Sequence, residues 1–250
     1  MISRFNSFSL DTDGLTPENL LDRNKKDFQY VEGSKTLVIC LPGWGQGIWT
    51  WKRVKKNIVN SGDSFLAYEF PREILSNNHD LTRKCFEVID KTVREDINEM
   101  KEKYGFTRCI LVAVSLSSSY GSMVYKDNHD INEILLIVPG ENLARDMWHG
   151  VRTQHLRKSF DQLGIDLPKL ENFWHSMASE NNLPAKGTNV SLYFGKEDAV
   201  IPYKFSIRLA DILVEKCFKT TSKSLSFFWT LFIDFLFSSN TLETFKVLTF

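Results

Sequence analysis

The 250-residue chain reads as an α/β protein built on a mostly parallel sheet with helices on both faces. Three observations predict this. Several short runs are almost continuously apolar, among them "TLVICL" (36–41), "CILVAV" (109–114) and "EILLIV" (133–138), as strands buried on both faces are. Segments with helical spacing separate these runs. The polar residues of interest each follow a strand, where ligands of open parallel sheets bind.

In chain order, "FQYVEGSKTLVICL" (28–41) predicts a strand, a Glu-Gly-Ser turn and a buried strand. "IWTWKRVKKNIVNSG" (48–62) predicts a short helix with Trp51, Val54 and Ile58 on one side, closed by Gly62. "SFLAYEF" is the next strand, stopped by Pro71. Residues 80–104 carry the longest helical pattern, with Asp80 in the N-cap position and Leu81, Cys85, Val88, Ile89, Val93, Ile97, Met100 and Tyr104 in register. The strand 109–114 leads into a helix of small residues from about 117, followed by the strand 133–138. "NVSLYF" (189–194) and "YKFSIRLADILVEKC" (203–217) predict a last strand and helix.

Two stretches break the alternation. Residues 141–187 hold two helical patterns, one of them Leu143, Met147, Val151, Leu156 and Phe160, and read as a cap inserted into a core of residues 1–217. Residues 218–250 form a tail rich in Phe, Ser, Thr and Leu. Its segment "LSFFWTLFIDFLF" (225–237) is shorter than the roughly 18 apolar residues of a spanning helix and contains Asp234, so no spanning segment is expected. An edge strand or a helix packed on the sheet is the expected use of this tail.

Composition excludes some functions. Lys+Arg and Asp+Glu both number 31, so there is no net positive charge to hold nucleic acid. Cys40, Cys85, Cys109 and Cys217 are far apart and have no histidine at metal-ligand spacing, which predicts buried free thiols and no metal or other cofactor. The first residues lack the apolar stretch of a secretory signal, so a cytoplasmic location is expected. Oligomeric state is not legible.

Candidate chemistry starts at Ala113-Val114-Ser115-Leu116-Ser117. A serine at a sharp strand-to-helix corner needs small residues two before and two after it, because helix and strand backbones approach closely there. The plain alternative is a polar helix start with Ser115 as N-cap. A competing frame centred on Ser119, with Gly121 two residues on, would put Ser117 and Ser118 into the strand end. Two further stretches follow strands: Pro42-Gly43-Trp44, otherwise a simple turn, and "YFGKEDAVIP" (193–202), otherwise an Asx turn capping the next helix.

Taken in this order, the three stretches resemble the α/β-hydrolase family across residues 36 to about 217. The resemblance implies a serine hydrolase of the ester or amide class acting on a small molecule with an acyl group. Ser115 would be the nucleophile and Asp198, in Gly195-x-x-Asp198 with Pro202 beyond, the acid that orients the base. The backbone amides of Trp44 and Leu116 would bind the oxyanion, and Glu141 is a second site for the acid. The chain departs from the family in one respect. The family's base is a histidine C-terminal to the acid, whereas His79, His129, His149, His155 and His175 all precede Asp198. Impaired catalysis is therefore expected, through a tail altered by frameshift, splicing or read-through. A cap histidine (His149 or His155) as the base, a non-catalytic binding or scaffold protein, and an acyltransferase are the alternatives.

Overall fold

The computed structural model describes residues 14–196, 201–216 and 220–225. Among these residues seven strands form one sheet: β1 (Lys25–Gln29), β2 (Thr36–Leu41), β3 (Ser64–Glu69), β4 (Arg108–Val114), β5 (Glu133–Ile137), β6 (Asn189–Gly195) and β7 (Thr220–Leu225). Their order across the sheet is β1-β3-β2-β4-β5-β6-β7. Of the six pairings among these described strands, only β1–β3 is antiparallel. The described residues also form eight α-helices: α1 (Pro17–Leu21), α2 (Lys52–Asn60), α3 (His79–Tyr104), α4 (Ser117–Tyr125), α5 (Leu143–His149), α6 (Gln154–Gln162), α7 (Leu167–Phe173) and α8 (Tyr203–Glu215).

Strand β2 shows why the apolar runs are continuous. All six of its residues are buried. Leu37, Ile39 and Leu41 enter the larger core with Phe86, Ile89 and Val93 of α3 and Tyr120 and Val124 of α4. Val38 and Cys40 point the other way, into a second core with Trp51, Val54 and Ile58. Alternate side chains leave opposite faces of a strand, so a sheet covered twice needs apolar residues at every position. The thiols of Cys40, Cys85 and Cys109 are free and buried. Burial pushes Cys85 up to about 12 and Cys109 up to about 11. Cys217 lies outside the described residues.

Several expectations are corrected. Strand β1 begins at Lys25, earlier than its apolar residues indicate. It is an edge strand whose lysine and aspartate side chains pair with neighbours, Lys25 with Glu69, Lys26 with Asp96 and Asp27 with Lys55, so half of it carries no apolar signature. Helix α3 is capped by Asn78, whose side chain accepts from the Leu81 amide at 3.0 Å. Asp80 sits instead in the first turn and pairs with Lys84 and Arg83, which hold its carboxyl down at about 2. Strand β5 stops at Ile137 because Val138 turns left-handed (φ 51°). Helix α8 ends at Glu215. The run from Leu143 to Phe160 is two helices, broken at Gly150, where the backbone is extended, and Val151 is exposed.

The start of the divergent tail joins the sheet: Thr220–Leu225 pairs in parallel with β6 from Val190 to Gly195. The apolar stretch 225–237 lies, apart from Leu225, outside the described residues.

Candidate active site

The carboxyl ends of β2, β4 and β5 deliver three loops to one place. Ser115 directly follows β4, and its φ is 56°. That left-handed conformation costs an ordinary L-residue roughly 1–2 kcal/mol, and something must hold it. The Ser115 amide donates to the Ile137 carbonyl at 2.9 Å, extending the β4–β5 ladder through the corner. The Ser115 carbonyl accepts from the Ser118 amide at 2.9 Å and the Ser118 hydroxyl at 2.8 Å. Ser118 Oγ also accepts from the Gly140 amide at 3.1 Å, tying the corner to the loop after β5. The Ser115 side chain does not cap α4: the N-cap residue is Leu116, with no side-chain cap bond. Nor does Ser115 Oγ hydrogen-bond to any other described residue. Ser119 lies inside α4 and is buried, so the corner belongs to Ser115.

Small residues around the corner meet a packing demand. A Cβ on Gly121 of α4 would stand 3.2 Å from both Ala113 Cβ and Leu41 Cδ1. Ser117 is fully buried, its Oγ 2.9 Å from the Leu41 carbonyl. Helix α4 therefore lies directly on β4 and β2.

The loop after β2 is fixed against the same helix. The Tyr120 hydroxyl donates to the Pro42 carbonyl. The Gln46 side chain accepts from the Gly43 amide at 2.8 Å, and the Gln46 amide donates to the Gly43 carbonyl at 3.1 Å. A Cβ at Gly43 would come within 3.2 Å of the Val114 carbonyl, so this turn crosses the end of β4 closely. Trp44 Nε1 donates to the Arg72 carbonyl at 2.7 Å, and the Arg72 guanidinium lies over the indole. The amides of Trp44 and Leu116 find no acceptor among the described residues.

Trp44, Ser115 and Leu116 line one cleft, whose far wall is made by Leu143, Asp146 and Met147 of α5. The cavity is about 30 Å³, room for a water or two. Asp198 lies outside the described residues. Glu141 is fully buried and bound to Arg145 at 3.2 Å. Arg208 Nε comes within 3.0 Å of Glu141 Oε2, off the line of its N–H, so this contact is an ion pair rather than a hydrogen bond. Burial raises the Glu141 carboxyl above its usual range.

Among the described residues no histidine lines the cleft. His155 stacks on the indole of Trp44, with ring centroids 6.1 Å apart and planes at 11°. Burial and, to a lesser degree, the Arg72 charge lower its pKa. His149 packs against Phe205, and burial lowers its pKa too.

Asp146 escaped the reading of the sequence. It is 5% exposed, and its Oδ1 is buried without a hydrogen-bond partner among the described residues. Burial pushes its carboxyl well above the usual range, and the Glu141 charge pushes the same way. Gly140 makes room for it, since a Cβ there would fall 1.6 Å from Asp146 Oδ2. The available sign was an acidic residue three positions after Leu143 and next to Met147, on the apolar side of a helix.

No family model matches the chain, and no curated protein matches it in sequence. Solved structures do match in fold. Esterase 2 of Thermogutta terrifontis with bound butyrate superposes with a TM-score of 0.61 at 13% identity, over 90% of this chain and 87% of that one. A puromycin-hydrolyzing peptidase of Mycobacterium tuberculosis gives 0.64 at 13%, over 89% of this chain and 35% of that one. A lipase/esterase of Lactobacillus plantarum gives 0.57 at 10%, over 82% and 89%. The fold is that of the α/β hydrolases. Among the described residues no helix is long and apolar enough to cross a membrane.

Proposed function

We propose that the protein is a serine hydrolase of the ester or amide class whose turnover is impaired for want of a base. The observation that carries this is the left-handed Ser115 at the end of β4, in one cleft with Trp44 and Leu116, whose amides have no acceptor among the described residues. Ser115 Oγ is the attacking atom. The two amides are the donors for the oxyanion that forms when Oγ adds to an acyl carbonyl, often the largest single contribution to such catalysis. Asp198 takes the role of the orienting acid, and residues 141–187 act as a cap that shapes the acyl site. The likeness in fold to esterases, one of them holding butyrate, supports that substrate class. The buried free thiols of Cys40, Cys85 and Cys109 support a reducing, cytoplasmic setting.

Attack requires the Ser115 proton to leave, and no histidine follows Asp198 in the sequence. In a serine triad, losing the base costs on the order of a million-fold in turnover, about 8 kcal/mol. An advantage of roughly 10³–10⁴ over water survives from binding and the oxyanion donors. A fluorophosphonate probe and p-nitrophenyl acetate test this. Slow labelling that Ser115→Ala abolishes is the expected result, and a fast Ser115-dependent burst would overturn the impairment. The missing base favours one second reading, a binding protein that uses the same cleft; complete absence of labelling with retained ligand binding would select it. Ester formation with an added alcohol would instead identify acyl transfer.

A further inference from the structure

Trp44 is held by its side chain rather than by its backbone. The turn that carries it is tied on either side. The Pro42 carbonyl accepts from the Tyr120 hydroxyl, and Gln46 bonds both the amide and the carbonyl of Gly43. Trp44 itself has no backbone hydrogen bond among the described residues, and Gly45 beyond it is left-handed, with a φ of 71°. The indole makes the contacts instead. Its Nε1 donates to the Arg72 carbonyl at 2.7 Å. The Arg72 guanidinium lies 5.3 Å from the ring centroid. Half-buried His155, on α6 of the cap, stacks on the ring. These partners are themselves well seated. Arg72 opens the 3₁₀ turn Arg72–Ile74, which buries Ile74 and leads to Leu75, another wall of the cleft. The stem of Arg72 lies against Gly45, its Cγ, Cδ and Nε each 3.1 Å from the place of a Cβ there. Helix α6 is anchored by Leu156 and Phe160 in the larger core.

A peptide group with no hydrogen bond of its own takes its orientation from whatever fixes the side chain. We propose that His155 is a positioning residue, whose ring holds the Trp44 indole beside Arg72 and so fixes the Trp44 amide in the cleft it shares with Ser115. His155 then acts on the serine through Trp44 and not as its base. A ring at 11° to the indole presents its face to Trp44, whereas the nitrogens that could take a proton bond in the ring plane. His155 is also absent from the lining of the cleft. The contact joins the cap to the oxyanion turn, because a shift of α6 would take the stacked ring from Trp44. What the Trp44 amide does for Ser115 rests on the hydrolase reading; what holds that amide in place does not.

Two variants of the full chain separate a stacking ring from a base. His155→Ala removes the ring, and His155→Phe restores a stacking face without a nitrogen that titrates; near-UV circular dichroism checks the fold of both. NMR relaxation of the Trp44 amide is read in protein with isotopically labelled tryptophan, the signal being assigned through Trp44→Phe. Its order parameter should be about 0.85 in the wild type, fall towards about 0.6 in His155→Ala and recover in His155→Phe. The limiting rate of fluorophosphonate labelling at Ser115 should follow, about 2–10-fold lower in His155→Ala and restored in His155→Phe, as the strength of a stacked aromatic pair implies. The half-saturating probe concentration should stay level, since the Trp44 amide serves the transition state. An order parameter indifferent to His155→Ala, or not restored by His155→Phe, would overturn the proposal. So would labelling that stays level in both variants. Labelling lost equally in both, with the order parameter intact, would overturn it and make His155 the base. No labelling in the wild type would remove the hydrolase reading, and recovery of the order parameter in His155→Phe would still uphold the hold of His155 on Trp44.

Discussion

Replacing Ser115 by glycine and, separately, by alanine isolates the energy held in its backbone. The left-handed φ of 56° costs an L-residue about 1–2 kcal/mol relative to glycine. Glycine gives back part of this gain, about 0.5–1 kcal/mol, through the greater freedom of its unfolded chain. The Ser115 hydroxyl makes no hydrogen bond to a described residue, so removing it adds little to either variant. Ser115→Gly should therefore be more stable than Ser115→Ala by about 0.5–1 kcal/mol. For a chain of this size that is a rise in Tm of about 1–4 °C. Urea unfolding followed by circular dichroism measures the difference directly, with equal m-values showing that only stability changed. A glycine variant equal to or weaker than the alanine variant would mean that the corner is not strained, and the strongest structural support for a nucleophile there would be lost.

Two further outcomes concern packing and charge. Gly121→Val should destabilise by about 1–3 kcal/mol through overpacking, because Ala113 and Leu41 already stand 3.2 Å from the place of a Cβ. Gly121→Ala should be closer to neutral in the same urea assay, since better helix propensity offsets the tighter contact. Burial raises the folded-state pKa of Asp146 above its unfolded value. Its stabilising contribution is thus complete below about pH 4, the unfolded value, and is lost as pH rises towards the folded one. Asp146→Asn should consequently gain on the wild type from pH 4 to pH 8 in paired urea titrations, and a gap that does not change with pH would contradict the burial of an unpaired carboxyl.

Short-range pattern was enough to place β2, β4, β5 and the body of helix α3, and the small residues around Ser115 marked a corner there. Each is governed by a rule of short range: strands covered on both faces must be apolar throughout, helices repeat every 3.6 residues, and a tight corner admits only small neighbours. The same rules missed the start of β1, whose polar side chains find their partners on β3, α2 and α3. They also ran one helix through Gly150 and gave α3 the wrong cap. Asp80 and Asn78 are both fitting N-cap residues, and only the backbone at 78 decided between them.

The amino-acid order alone determined that a serine corner, a Pro-Gly-Trp turn and a Gly-x-x-Asp stretch follow strands of one parallel sheet, and that no histidine comes after them. Tertiary structure decided which groups share a cavity. Ser115 and Trp44 follow β4 and β2 and Asp146 lies on α5, and among the described residues Asp146 has no ion pair because Arg145 and Arg208 spend their charge on other carboxylates. The chain cannot announce such a state locally, because desolvation and ion pairing are set by neighbours tens of residues away, which meet only when the sheet has brought its strand ends together.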